Sequence, residues 1–213
     1  DIFFRQMEIP EPKYNLGINS LSHGAMTGRM MEAIEAVLLE EKPSAVVVFG
    51  DTNSTLAGAL AASKLYIPVA HVEAGLRSFN MQMPEEINRI LTDRISNFLF
   101  CPTEKAVQNL DDEGFRKFNV CIENTGDVMY DAALHFSNFT PAEGKVAAGM
   151  NEEGRPFILA TLHRRENIDD LSRLNELISA INRLSKDYKI ILPLHPATRK
   201  RLVQKDIRLS FDP

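Results

Sequence analysis

The feature that most constrains this chain is an alternation of two kinds of segment. Short apolar runs recur at AVVVF (45–49), IPVAHV (67–72), FLFCP (98–102), PFILATL (156–162) and KIILPLH (189–195). These runs lack the every-second-residue polarity of a half-exposed strand, so they predict strands buried on both faces of a parallel sheet. Longer amphipathic segments separate them, at 27–41, 53–66, 84–96, 103–114, 128–137, 170–184 and 197–204, with a further short strand expected at 119–122. Pro43 ends the first helix, Pro84 sits in the first turn of the third, and Thr103 is placed to cap the fourth. Strand–helix alternation of this kind predicts the α/β class, here as two Rossmann-like, doubly wound domains. The polar, Gly-containing stretch 139–155 is the expected linker, after which the same rhythm restarts. The expected boundaries are therefore 1–150 for a nearly complete first domain and 151–213 for the start of a second.

Composition narrows the partners. At 44% hydrophobic and 25% charged, the 213 residues hold enough apolar material for a core. Net charge is −5 with the signs interspersed, and no basic block offers a nucleic-acid surface. No apolar run approaches the roughly 18 residues that a membrane span needs. Cys101 and Cys121 have neither CxxC spacing nor a neighbouring histidine. They read as reduced thiols of a cytoplasmic protein, with no metal site expected.

Ligands of open parallel sheets bind beyond the carboxyl ends of the strands. Four of the predicted strands run into ionisable residues at that end. AVVVF leads to Gly50-Asp51-Thr52, and IPVAHV to Glu73 and Arg77. FILATL leads to His163-Arg164-Arg165-Glu166-Asn167, and KIILPL to His195. Each residue has a plainer reading as well. Asp51 suits a turn and helix cap, and Glu73 could be neutralised by Arg77. Glu85 and Glu86 suit the positive end of a helix, and His71 reads as structural. Taken together, the positions describe a cleft for an anionic ligand, with acid–base groups from one domain and a His/Arg cluster from the other.

At these residues the chain resembles the non-hydrolysing UDP-N-acetylglucosamine 2-epimerases. GDTNST, HVEAGLRSFNMQMPEEINR, TGDVMYDA and ATLHRREN occur in that family's order over nearly the whole length. The resemblance implies a glycosyltransferase-B arrangement of two Rossmann-like domains, no cofactor, and a homodimeric isomerase that interconverts UDP-GlcNAc and UDP-ManNAc for cell-surface polysaccharide synthesis. It implies catalytic roles for Asp51, Glu73, Glu85 and His163. It implies substrate binding by Asp51, Glu73 and His163 with Arg164, Arg165 and His195. Arg164 and His195 match positions that in some members hold a second UDP-sugar as activator. The implied route is loss of UDP to give 2-acetamidoglucal, protonation at C2 from the other face, and re-addition of UDP.

The family's opening strand, its Gly-Thr-Arg-Pro-type phosphate motif and its later Ser/Gly-rich phosphate loop are not in these 213 residues. The expectation is a piece of a longer protein, inactive and weak in UDP binding by itself. Competing readings are an epimerase of another UDP-sugar such as a diacetamido uronic acid, a hydrolysing 2-epimerase, a transferase of similar architecture, and a non-catalytic nucleotide-sugar binder.

Overall fold

The computed structural model describes residues 4–5, 7–137 and 157–211. The chain divides into two units, Asp1–Phe139 and Thr140–Pro213. The expected linker and the expected boundary at 150/151 lie outside the described residues.

In the first unit the predicted alternation forms α1 (His23–Glu41), β1 (Val46–Phe49), α2 (Asn53–Lys64), β2 (Val69–Val72), α3 (Pro84–Ile95), β3 (Phe98–Cys101), α4 (Glu104–Asp112), β4 (Cys121–Asn124) and α5 (Val128–Ser137). The four strands pair in parallel in the order β1-β2-β3-β4. Local chemistry sets the boundaries. Lys42 takes a left-handed conformation before Pro43, and Pro84 occupies the first turn of α3. Thr103 accepts from the Ala106 amide at 3.2 Å and so caps α4. β4 lies two residues later than expected, because its partner is Phe98–Cys101 and Phe98 aligns with Cys121.

The register separates the two sheet faces. Val48 aligns with His71 and His71 with Leu99, so these share one face with Val46, Val69 and Cys101. That face meets the helices: Val48 and Val69 pack with Leu38 of α1 and Ala59, Ala61 and Ala62 of α2. Leu99 and Cys101 pack with Ala106 and Leu110 of α4. The opposite face carries Val47, Phe49 and Phe98, which are 54%, 61% and 40% exposed. The expectation of helices on both faces is thus met on one face among the described residues. The reason is topological. Right-handed crossovers between strands added in sequence order all fall on the same side of the sheet.

The small residues of α2 permit its close approach. Ala57, Ala59, Ala61 and Ala62 are buried, and a methyl group on Gly58 would lie 3.3 Å from Val48 Cγ1.

The second unit contains β5 (Phe157–Leu159), α6 (Arg165–Ile168), α7 (Leu171–Leu184), β6 (Lys189–Ile191) and α8 (Pro196–Gln204), with β5 and β6 parallel. Both strands are shorter than expected, and the HRREN stretch enters the unanticipated short helix α6. Asp170 caps α7 by accepting from the Ser172 and Arg173 amides. Leu162, Leu174, Ile178, Ile190, Leu192 and Leu202 form the core. Thr198 Oγ1 donates to the Leu162 carbonyl at 2.5 Å and so ties α8 to the segment after β5. Among the described residues no helix is long and apolar enough to cross a membrane.

Candidate functional site

Asp51 and Glu73 leave adjacent strands at the same end of the first sheet. The Gly50 amide still donates to the Val72 carbonyl at 3.0 Å, so the two chains part side by side. Gly50 turns the chain with φ +66°, a region that glycine enters without strain. Glu73 does the same with φ +71° and has no such freedom. A left-handed residue with a Cβ costs about 1–2 kcal/mol, and such strain collects at functional sites. A methyl group on Gly50 would lie 3.6 Å from Glu73 Oε2, which places the glutamate carboxylate over the Gly50–Asp51 turn.

The electrostatics make Glu73 distinct. Burial raises its pKa above the ordinary glutamate range, and the charges of Asp127 and Asp51 raise it further. His71 and Arg89 oppose that rise. Asp127 follows β4 and caps α5 by accepting from the Met129 amide at 2.8 Å. Sequence reasoning had not singled it out; its position beyond a strand end was the available signal. The charges of Asp51 and Asp127, from two further strand ends, thus act on Glu73, and among the described residues no three acidic, His or Cys groups are arranged to hold a metal ion.

Helix α3 braces this cluster with a polar inner face. Glu86, Asn88, Thr92 and Asp93 are buried, whereas Ile87 and Leu91 are 40% and 46% exposed. That inverts the usual amphipathic helix. Asn88 Nδ2 donates to the Asp51 carbonyl at 2.9 Å, and Arg89 pairs with the Asp51 carboxylate. Arg89 also pairs with Glu86 at 2.8 Å. Glu86 accepts from the Ser78 and Phe79 amides at 2.9 and 2.8 Å. Burial works against the Glu86 charge, but these amides and Arg89 outweigh it and hold the carboxyl below the usual range. Glu85, the expected catalytic member of the pair, is exposed at the start of α3. The stripe Glu86–Arg89–Asp93 on a helix that must pack was the sequence signal for these supports.

Arg77 does not neutralise Glu73. It pairs with Asp93 at 2.7 Å and forms two hydrogen bonds to Glu113, at 2.6 and 2.9 Å. Burial opposes its charge, but the two carboxylates raise its pKa above the usual guanidinium value. His71 is fully buried, with Nδ1 2.6 Å from Asp93 Oδ1 and Nε2 2.8 Å from the Gly50 carbonyl.

In the second unit His163 and His195 follow β5 and β6, with ring centroids 6.5 Å apart. With Thr161, Pro193 and Leu194 they line a cavity of about 370 Å³. Arg164, next to His163 in the chain, is exposed. The side chain of Arg165, also expected at the site, lies outside the described residues.

A family model described as UDP-N-acetylglucosamine 2-epimerase matches residues 1–210. The chain is 54% identical over 211 residues to the UDP-2,3-diacetamido-2,3-dideoxy-D-glucuronate 2-epimerase of Pseudomonas aeruginosa, covering 99% of this chain and 58% of that one. It is 49% identical over 205 residues to the UDP-N-acetylglucosamine 2-epimerase of Methanocaldococcus jannaschii, covering 94% and 56%. The crystal structure of a Methanocaldococcus jannaschii UDP-GlcNAc 2-epimerase in complex with UDP-GlcNAc and UDP superposes with a TM-score of 0.87 at 49% identity, over 97% of this chain and 57% of that one. The chain thus spans a little over half the length of these relatives.

Proposed function

Because the chain belongs to the UDP-N-acetylglucosamine 2-epimerase family, we propose that the protein inverts C2 of a UDP-2-acetamido sugar by eliminating and re-adding UDP. The observation that carries this reading is the meeting of Asp51 and Glu73 at adjacent strand ends, with Glu73 in a left-handed turn, partly buried and raised in pKa. The C2 hydrogen of such a sugar is not beside a carbonyl, so its direct removal is very hard. Cleavage of the C1–oxygen bond expels UDP and makes C1 oxocarbenium-like. Loss of the C2 proton to a carboxylate then gives the 2-acetamidoglycal of that sugar, which is 2-acetamidoglucal in the case of UDP-GlcNAc. Protonation at C2 from the other face and return of UDP to C1 give the epimer. This chemistry needs anionic groups beside C1 and a base and an acid at C2.

Asp51, Glu73 and Glu85 are assigned to that set. Glu73, whose carboxyl is raised by burial and by the Asp127 and Asp51 charges, is assigned to proton transfer at C2. His163 is assigned to the diphosphate, and Arg164, Arg165 and His195 to binding of the nucleotide sugar, including a second one acting as activator.

Two substrates are favoured by the relatives. UDP-GlcNAc is named for the Methanocaldococcus enzyme, and UDP-2,3-diacetamido-2,3-dideoxy-D-glucuronate for the Pseudomonas one. The test offers each to the intact protein in heavy water and follows C2 by NMR. Deuterium at C2 and the epimer's signals are expected with one of them, without any acceptor. Glu73→Gln should slow the exchange well over tenfold. Product that forms only with an acceptor, accumulation of free sugar, or the absence of C2 exchange would each refute the proposal.

A further inference from the structure

We infer that an ionic chain, Glu113–Arg77–Asp93–His71, buried except at its Glu113 end, is a positioning device that sets the spacing of Asp51 and Glu73 for the reaction, with Asp93 as its centre. The inference rests on the epimerase reading above.

The contacts run through the core of the first unit. Asp93 is fully buried and takes three donors. They are His71 Nδ1 at 2.6 Å, the Gly75 amide at 3.1 Å and Arg77 Nη1 at 2.7 Å. Each arm ends on backbone beside a site residue. His71 Nε2 lies 2.8 Å from the carbonyl of Gly50, the residue before Asp51. Asp93 holds the amide of Gly75, two residues after Glu73, and Arg77 Nη1 donates to the Leu76 carbonyl at 2.7 Å. Asn109 Nδ2 donates to the Gly75 carbonyl at 2.9 Å and pins the same loop from α4. The far end closes on Glu113, which grips the Arg77 fork.

Energetics favour a role beyond bracing. Taking several charges out of water is costly, and apolar residues of similar volume usually stabilise a core as well or better. An ionic chain specifies geometry, because its directional contacts admit one arrangement of the groups they join. Here the groups joined are the two turns bearing the carboxylates and the helix α3 that also grips Asp51 through Asn88 and Arg89. The left-handed conformation of Glu73 persists only where its surroundings impose it, and the grip of Asp93 on Gly75 supplies that constraint.

The test is Asp93→Asn in the intact protein, which keeps the shape but removes one acceptor and the charge. A misplacement of about 1 Å in a catalytic group can cost on the order of a hundredfold in rate. The expected result is a fall in kcat of tenfold or more with KM for the UDP-sugar within threefold of wild type. Leu38→Ala is the comparison. It opens a cavity in the core of the same unit, touches none of these groups, and should keep kcat within twofold at a temperature where it is folded. If Asp93→Asn does not fold, His71→Gln takes its place, with an expected fall in kcat of threefold or more at a KM within threefold of wild type. A Leu38→Ala variant that loses as much kcat as Asp93→Asn for an equal drop in Tm would show that the chain only stabilises, and would overturn the inference. So would an effect confined to KM, or a kcat for Asp93→Asn within threefold of wild type. Wild-type protein without C2 exchange overturns the epimerase reading and this inference with it, whereas normal wild-type exchange with an unaffected Asp93→Asn variant overturns the inference alone.

Discussion

Replacing Gly75 by alanine should destabilise the first unit by about 2–4 kcal/mol, and Gly114→Ala should cost only about 1 kcal/mol. Both glycines have left-handed backbones, with φ +77° and +80°. An L-residue in that region costs about 1–2 kcal/mol, partly offset by about 0.4–1 kcal/mol because alanine restricts the unfolded chain. The two sites differ in their surroundings. A Cβ on Gly75 would lie 2.4 Å from the Ala106 carbonyl oxygen, 2.9 Å from its carbon and 3.1 Å from Leu110 Cγ. A Cβ on Gly114 meets nothing within 4 Å among the described residues. The first contacts are with the backbone at the start of α4, so relief requires moving a helix, and overpacking of that kind costs about 1–3 kcal/mol. Urea denaturation followed by far-UV circular dichroism measures both variants. The expected result is a much larger fall in midpoint for Gly75→Ala at an unchanged slope. Equal losses would show that α4 yields freely, and the close approach would then not constrain the Glu73 loop.

Two further outcomes follow from the same geometry. Glu73 has a raised pKa, so its contribution to stability is full below the unfolded carboxylate value and is lost as pH rises through the higher folded value. Glu73→Gln should therefore raise Tm at pH 7–8, with the gain vanishing toward pH 4; a Tm below wild type at neutral pH contradicts this. Thr92 Oγ1 is buried with no hydrogen-bond partner among the described residues, so Thr92→Val should stabilise by about 0.5–2 kcal/mol in thermal unfolding, and a lower Tm refutes it.

The succession of helices and strands along the chain was legible because each element rests on short-range pattern. Thr103, Pro84 and Asp170 mark helix starts by chemistry local to the backbone they serve. The positions of Asp51, Glu73, His163 and His195 beyond apolar runs were equally local signals. The supports were harder to see. Asp93 lies 22 residues from His71, and Glu113 lies 36 from Arg77, so nothing in either neighbourhood announces the other. Periodicity actively misleads in α3, where Ile87 and Leu91 would be turned inward by pattern and are instead exposed. The charged groups displaced them because they hold Asp51, Ser78 and Gly75.

By itself, then, the sequence determined the α/β class, the parallel strands and the ends of the strands at which ionisable residues collect. Those follow from residue spacing and from backbone rules that act over a few positions. Tertiary structure alone decided the strand order β1-β2-β3-β4, and with it which face of the first sheet the helices cover among the described residues. It also decided that Arg77 pairs with Asp93 and Glu113, that Glu86 is the inward member of its pair, and that Asp127 joins Glu73 and Asp51. Strand register and crossover hand bring together groups that no local pattern relates, and the pKa of Glu73 depends on that assembly.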